Sequence, residues 1–410
     1  MHVQGVWGGV VRAETGRKVK VLTFVGYYIP GYKAGGPLRT LLNMADSLHE
    51  SIEFLIITRD RDQDEPESYP SIAVNVWQKV GNAQVYYTTP DKCTIKDMAR
   101  VVSSTSHDLV YLNSFFDPIF TLKPLLGRLL LRSTDKPVVL APRGEFSKGA
   151  LDIKRLKKRV YKFVFSRLYR GLKFQASSEY EKEDFLNKLS WLKRDDVSVA
   201  MDLPSPVGAK PSRDSTVASE ENSKKGSLRI IFLSRIVRIK NLSYALAVLM
   251  NVKESVVFDI YGPKEDPEYW AECETLIARL PSNIKVDYCG NVLPEDVKNK
   301  FAAYDLFILP TQGENYGHVI AESISVGTPV LISDQTPWRN LEEEGLGWDF
   351  PLEKSQAFSD KIDQLARMGS EERNHFCELV YEKAVEKLTD QVSIDANKEL
   401  FFSVLKNKEL

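Results

Sequence analysis

Short apolar runs alternate along this chain with longer stretches whose apolar residues recur every three or four positions. The runs VKVLTFVGYY (19–28), IEFLIIT (52–58), DLVYLN (108–113), KPVVLAPR (136–143) and FQASS (174–178) have strand length. Their near-continuous apolar character predicts strands covered on both faces. Helical patterns fill the intervals, the first, PLRTLLNMADSLHE, opening just after Gly35-Gly36. The alternation stops at 203–227, where proline, serine and charge replace apolar residues. It restarts with LRIIFLS (228–234), VVFDIYG (256–262), IKVDYCG (284–290), DLFILP (305–310) and TPVLISD (328–334).

The pattern predicts two α/β domains, each a doubly wound parallel sheet, at 18–202 and 228–385, joined by a linker at 203–227. Residues 1–17, rich in glycine and valine without periodicity, are expected to form a disordered leader. The mostly helical, charged end, 386–410, is expected to cross back and brace the first domain. Ligands of open parallel sheets sit outside the carboxyl ends of the strands, so the chemistry is expected in loops that follow strands, in a cleft between the domains.

Charge narrows the partners. Lysine and arginine total 55 against 56 aspartates and glutamates, which gives no overall basis for binding nucleic acid. Cys93, Cys273, Cys289 and Cys377 are scattered and predict reduced thiols in a cytoplasmic protein. No apolar run approaches the ~20 residues that span a bilayer.

Two motifs carry the candidate chemistry. In DLFILPTQGENYGHVIAESISVG, Glu314 follows a strand, and a helix is expected to begin near Tyr316 or Gly317. The amides of Gly317, His318 and Val319 at such a helix start attract an anionic oxygen. Glu322, inside the helix, suits a vicinal diol such as a ribose, and Glu314 suits sugar hydroxyls beyond the phosphates. A lone pair of glutamates would as readily be a helix cap and a solvated side chain. The second motif, IIFLSRIVRIKNLSYALAVL, shifts that balance. It sets Arg235 and Lys240 in the loop after the second domain's first strand, where one can fork to two phosphate oxygens and the other act as a point charge.

Weaker signals surround these. Gly35 and Gly36 allow backbone to approach a pyrophosphate, although a glycine turn is also an ordinary helix start. Arg143 and Glu145, at the end of KPVVLAPR, are expected to face the cleft. Nine basic residues and no acid lie between Lys154 and Lys173, interleaved with aromatic and aliphatic ones. That composition suits an anionic membrane surface, or else a helix with one core face and one solvated basic face. Asp60 and Asp62 have the spacing of an Asp-x-Asp metal site, but their context, TRDRDQDEPE, predicts a solvated loop and no metal.

Taken together, Gly35-Gly36, SRIVRIKNL, YCGNV and the glutamates eight positions apart make the chain resemble the retaining glycosyltransferases of family 4, with the two-domain GT-B fold. GENYGHVIAE, GTPVLISDQTPWRNL and APRGEFSKGAL resemble transferases that build bacterial exopolysaccharide or lipopolysaccharide. The resemblance implies that Glu314 holds the donor sugar, Glu322 the ribose, and Arg235 and Lys240 the diphosphate. It implies that Asn291 and Val292 border the nucleobase through their backbone, while Asn315, Tyr316, Gly317 and His318 line the sugar and phosphate pocket. Many relatives place a histidine in the first domain near the reacting carbon; this chain offers Arg143, assigned to sugar or acceptor contacts.

The implied activity is transfer of a sugar, with retention and without a metal or cofactor, from a nucleoside diphosphate sugar to a saccharide or lipid-linked acceptor. Its place would be the cytoplasm or the inner face of the membrane. An epimerase or hydrolase of the same fold would need the same donor site; a nucleotide-sugar binder or a membrane-recruited scaffold would lack turnover.

Overall fold

The computed structural model describes residues 17–33, 35–130, 136–146, 155–208, 210–211 and 227–406. The expected leader lies outside them, save Arg17, which pairs with Asp108 at 2.8 Å. Residues 209 and 212–226 of the linker also lie outside them.

The first domain holds β1 (Val19–Phe24), β2 (Ile52–Arg59), β3 (Trp77–Val80), β4 (Ala83–Thr88), β5 (Leu109–Leu112), β6 (Val138–Leu140), β7 (Lys173–Ala176) and β8 (Val197–Val199). They form one sheet in the order β3-β4-β2-β1-β5-β6-β7-β8, parallel except for the β3–β4 hairpin. Its helices are α1 (Gly36–Leu48), α2 (Ile95–Ser104), α3 (Lys123–Leu130), α4 (Arg155–Tyr169) and α5 (Glu179–Lys188). Successive strand residues point to opposite faces, so Val21 joins a core with Leu41 and Met44 of α1, while Leu22 joins one with Met98, Leu125, Tyr169 and Phe185.

The second domain holds β9 (Leu228–Leu233), β10 (Val256–Tyr261), β11 (Ile284–Tyr288), β12 (Leu306–Leu309), β13 (Val330–Ser333) and β14 (Gly347–Phe350). All are parallel, in the order β11-β10-β9-β12-β13-β14. The helices are α6 (Leu242–Leu249), α7 (Pro267–Ile277), α8 (Val297–Ala302), α9 (His318–Ile324), α10 (Ser355–Arg367), α11 (Ser370–Leu388) and α12 (Gln391–Lys406). The chain leaves β9 in one direction and returns to its other side at β12. Loops after these two strands therefore diverge and open a crevice between them.

Helix α12 packs on the first domain rather than the second. Leu400, Phe401 and Val404 enter the core beneath β1 and β2, with the Phe401 ring 6.0 Å from Phe54 and 5.2 Å from Tyr111.

Four strands are absent from the sequence pattern. The β3–β4 hairpin turns on two residues, Gly81-Asn82, with Gly81 at φ 57°. β8 has three residues, and β14 begins at Gly347, where a side chain would stand 2.1 Å from the carbonyl oxygen of Val330. Strands as short as β3, β8 and β14 hold too few apolar residues to show a period, whereas the six residues of β4, AQVYYT, have strand length and are still missing from the predicted strands.

Candidate functional site

A cavity of about 960 Å³ lies between the domains at the crevice of the second sheet. It is lined from above by Gly35, Gly36, Arg39, Thr40, Arg143 and Asp202, and from below by the loops after β9, β10, β11 and β12. Every residue the sequence singled out as a catalytic or substrate contact lines it, whereas Glu145, expected to face the cleft, turns away and accepts from the Ser114 hydroxyl and the Phe115 amide.

The lower loops are stitched to one another. Ser234 N–H donates to Tyr261 O at 3.1 Å, Ile236 N–H to Pro263 O at 2.9 Å, and Gly262 N–H to Gly290 O at 2.9 Å. Gly262, at φ 131°, sits so close that a Cβ there would be 1.9 Å from the Ser234 carbonyl oxygen. Gln312 N–H and the Thr311 hydroxyl both donate to Ile239 O, at 2.8 and 2.9 Å, and the Asn241 amide donates to Pro310 O at 2.9 Å. The cation loop and the glutamate loop are thus one rigid unit at the switch point of the sheet.

Within that unit Lys240 and Glu314 form an ion pair, each side chain only 13% exposed. Arg235 stands nearer the rim, 50% exposed, and pairs with Glu265 at 3.1 Å. Both expected diphosphate cations are therefore held by carboxylates. An entering diphosphate would compete with Glu314 for Lys240, which would free Glu314 to accept hydrogen bonds from a hydroxyl.

Glu322 faces the first domain, with Arg39 of α1 at 3.9 Å. Burial pushes its carboxyl above the usual range, while Arg39 and Lys298 pull it back. Arg39 follows Gly35-Gly36, whose backbone is open to the cavity: a Cβ on either would meet nothing within 4 Å, although the φ of 70° at Gly35 favours glycine.

His318 joins the domains. Its Nε2 lies 2.9 Å from the Thr40 hydroxyl, which donates to Asp202 at 2.8 Å. The hydroxyl has one proton and gives it to the carboxylate, so the network assigns the imidazole N–H to Nε2. Burial pushes the ring down to about 4, so it is neutral at pH 7. The other Asp202 oxygen accepts from Arg143, whose remaining donors engage Asn113 and the Tyr111 hydroxyl. Arg143, assigned from sequence to sugar or acceptor contacts, lines the cavity while its guanidinium is anchored on this buried network.

Asn291 and Val292 lie just beyond β11, and Tyr316 packs its ring 4.7 Å from His318. Asn315 accepts from the Ser177 hydroxyl across the cleft at 2.9 Å and touches Gly144, where a Cβ would come within 3.2 Å. Helix α9 has seven residues after a left-handed Gly317, about two turns, so its dipole is modest and the side-chain cations carry most of the positive charge here.

Sequence reasoning missed Arg39, Thr40 and Asp202. Arg39 and Thr40 stand in the quoted PLRTLLNMADSLHE, four and five positions after Gly35, one turn into α1 and therefore on the face that the glycines open. Asp202 carried no local signal. Asp60 and Asp62, expected in a solvated loop, are instead buried: Asp62 accepts from the amides of Tyr32, Lys33 and Gln63, and Asp60 binds Arg61 and Ser68. Asp62 thereby fastens the segment that leads into Gly35. Among the described residues no three His, Cys, Asp or Glu side chains gather to hold a metal.

The fold is GT-B. Residues 214–383, which contain Arg235, Lys240, Glu314 and Glu322, match the family model of glycosyl transferases group 1. No curated protein sequence matches the chain. Among solved structures, Anabaena Alr3699/HepE in complex with UDP and glucose is similar over 94% of this chain and 99% of its own, at 16% identity and a TM-score of 0.67. Sucrose-phosphate synthase from Thermosynechococcus elongatus is similar over 95% and 100%, at 14% identity and a TM-score of 0.67. A glycosyltransferase from Rickettsia africae covers 95% and 99%, at 16% identity and a TM-score of 0.63. At these identities the likeness establishes the shared fold.

Proposed function

We propose that this protein is a retaining glycosyltransferase that moves a sugar from a nucleoside diphosphate sugar to a saccharide or lipid-linked saccharide acceptor in surface polysaccharide synthesis. The observation that carries the reading is the Lys240–Glu314 pair at the switch point of the second sheet, facing a cavity whose far wall is the Gly35-Gly36 loop. The group 1 match over that domain and the bound UDP of the Anabaena structure support it.

In this reading Arg235 and Lys240 stabilise the charge that grows on the diphosphate as the anomeric bond breaks, with no metal needed. The acceptor hydroxyl attacks the same face of the sugar, and its proton passes to the departing phosphate oxygen. Glu322 holds the ribose diol and Glu314 the sugar hydroxyls, with Asn315, Tyr316, Gly317 and His318 around them and Asn291 and Val292 at the base.

A thermal-shift panel of nucleotides and nucleotide sugars tests the reading. A ligand at 100 times its dissociation constant adds about 2.7 kcal/mol of stability. Stabilisation by a nucleoside diphosphate and its sugar, followed by turnover that needs an acceptor, is the expected result. A sugar altered or released from donor alone would indicate an epimerase or hydrolase, and no shift with any donor would defeat the proposal.

A further inference from the structure

Helix α4 has two apolar faces, and among the described residues only one is covered. Tyr161, Phe165 and Tyr169 turn inward onto Phe115, Phe116 and Phe146, with the Tyr169 hydroxyl donating to Phe115 O at 2.9 Å. On the other side Leu156, Val160, Phe163 and Val164 are 74, 55, 88 and 56% exposed. Their spacing puts them in one stripe about 100° wide at 100° per residue. Lys157 and Arg159, both exposed, flank the stripe, and exposed Arg167 lies at its end.

We propose that this stripe docks on an anionic lipid bilayer, with α4 lying in the plane of the interface and Phe163 inserted among the acyl chains. A core helix has no use for a second apolar face, whereas a stripe rimmed by cations suits a surface that is apolar below and anionic at the head groups. A second copy packed stripe to stripe would oppose Lys157, Arg159 and Arg167 to their own kind.

The position ties this surface to the cleft. Gly144 meets Asn315 across the domains, and two residues later Phe146 lies in the aromatic bed of α4. Resting on the proposed transferase activity, a bilayer at α4 would present a lipid-linked acceptor beside the first domain's wall of the cavity.

The test is sedimentation of the full chain with phosphatidylcholine vesicles, alone or with about a third phosphatidylglycerol. The chain is expected to follow the anionic vesicles and to bind neutral ones far less. Leu156→Ser with Phe163→Ser should weaken binding at least tenfold. Gln at Lys157, Arg159 and Arg167 together should weaken it about a hundredfold, at about fivefold per cation. These side chains are exposed, so unchanged thermal melts are expected for both variants.

A wild-type chain left in the supernatant, variants that bind as it does, or a lipid-free dimer dispersed by Phe163→Ser would each overturn the proposal. Donor binding in the same preparations separates the two readings. Donor affinity without vesicle binding defeats the docking alone; vesicle binding without donor affinity defeats the transferase reading and leaves the docking in place.

Discussion

Arg39 and Glu322 face each other across the cleft, 3.9 Å apart, one from each domain. Both line the cavity, and a ribose held by Glu322, as proposed, would break or share the pair. Arg39→Ala removes a cation from the cavity proposed to take the diphosphate. Donor affinity is expected to fall about tenfold or more, as for loss of a charge-assisted hydrogen bond. Titration calorimetry with a nucleoside diphosphate sugar reads this directly, and unchanged affinity would remove Arg39 from the donor site.

Lys240 and Arg235 look equivalent in sequence, but the structure ranks them. Lys240 is nearly buried against Glu314, whereas Arg235 stands half exposed at the rim. Charge stabilisation is stronger where water is excluded. Lys240→Ala is expected to lower turnover about a hundredfold or more, and Arg235→Ala by roughly a tenth of that factor. Steady-state kinetics that gave the reverse order would shift the diphosphate toward the rim.

The Arg143–Asp202 pair is buried, 5 and 3% exposed, and anchors the end of the first domain just ahead of the linker. Removing one partner leaves a buried charge alone. Asp202→Ala is expected to cost about 3 kcal/mol or more by urea unfolding. It also strips Thr40 of its acceptor and lets His318 move, so the same variant should lose donor affinity.

His318 gives a pH signature. Its folded value is pushed down to about 4, below the ordinary 6.5 of an unfolded histidine. Between those values the unfolded chain binds a proton that the folded ring refuses. The stabilisation is therefore complete above pH 6.5 and is lost as the pH falls toward 4. Against His318→Gln, which cannot titrate, the wild type is expected to lose about 1 to 2 kcal/mol between pH 7 and pH 5. Parallel stability curves would show a ring that protonates freely in the fold.

Gly262→Ala probes the stitching of the loops. A methyl group at 1.9 Å from the Ser234 carbonyl must displace the backbone that carries Arg235. The variant is expected to be less stable by about 1 to 3 kcal/mol and to lose turnover, both without touching a charged group. Wild-type kinetics in Gly262→Ala would show that Arg235 tolerates this shift.

What the sequence made legible follows from how each feature is encoded. Long strands such as IIFLS and LFILP are continuous apolar runs because both faces are covered, and the loops after them had to meet at the crevice. Topology therefore brought Glu314, Arg235 and Lys240 to the crevice, with Glu322 one turn into the helix that follows. Asp202 and Thr40 were not, because their meaning lies in partners 162 and 278 positions away. Asp62 read as a loop acid because the Tyr32 and Lys33 amides that hold it come from about 30 residues upstream. The exposure of Phe163 was invisible too: a helix covered on both sides and one covered on a single side share a sequence pattern.

The ring of Phe401 sits between Phe54 and Tyr111, yet it is synthesised some 290 residues after the nearer of them. The first domain therefore emerges from the ribosome with a gap in its interior, and the whole second domain is made before the missing wedge arrives. Closing that gap falls to α12, which lies beyond the second domain in the chain and so binds the two halves into one assembled molecule.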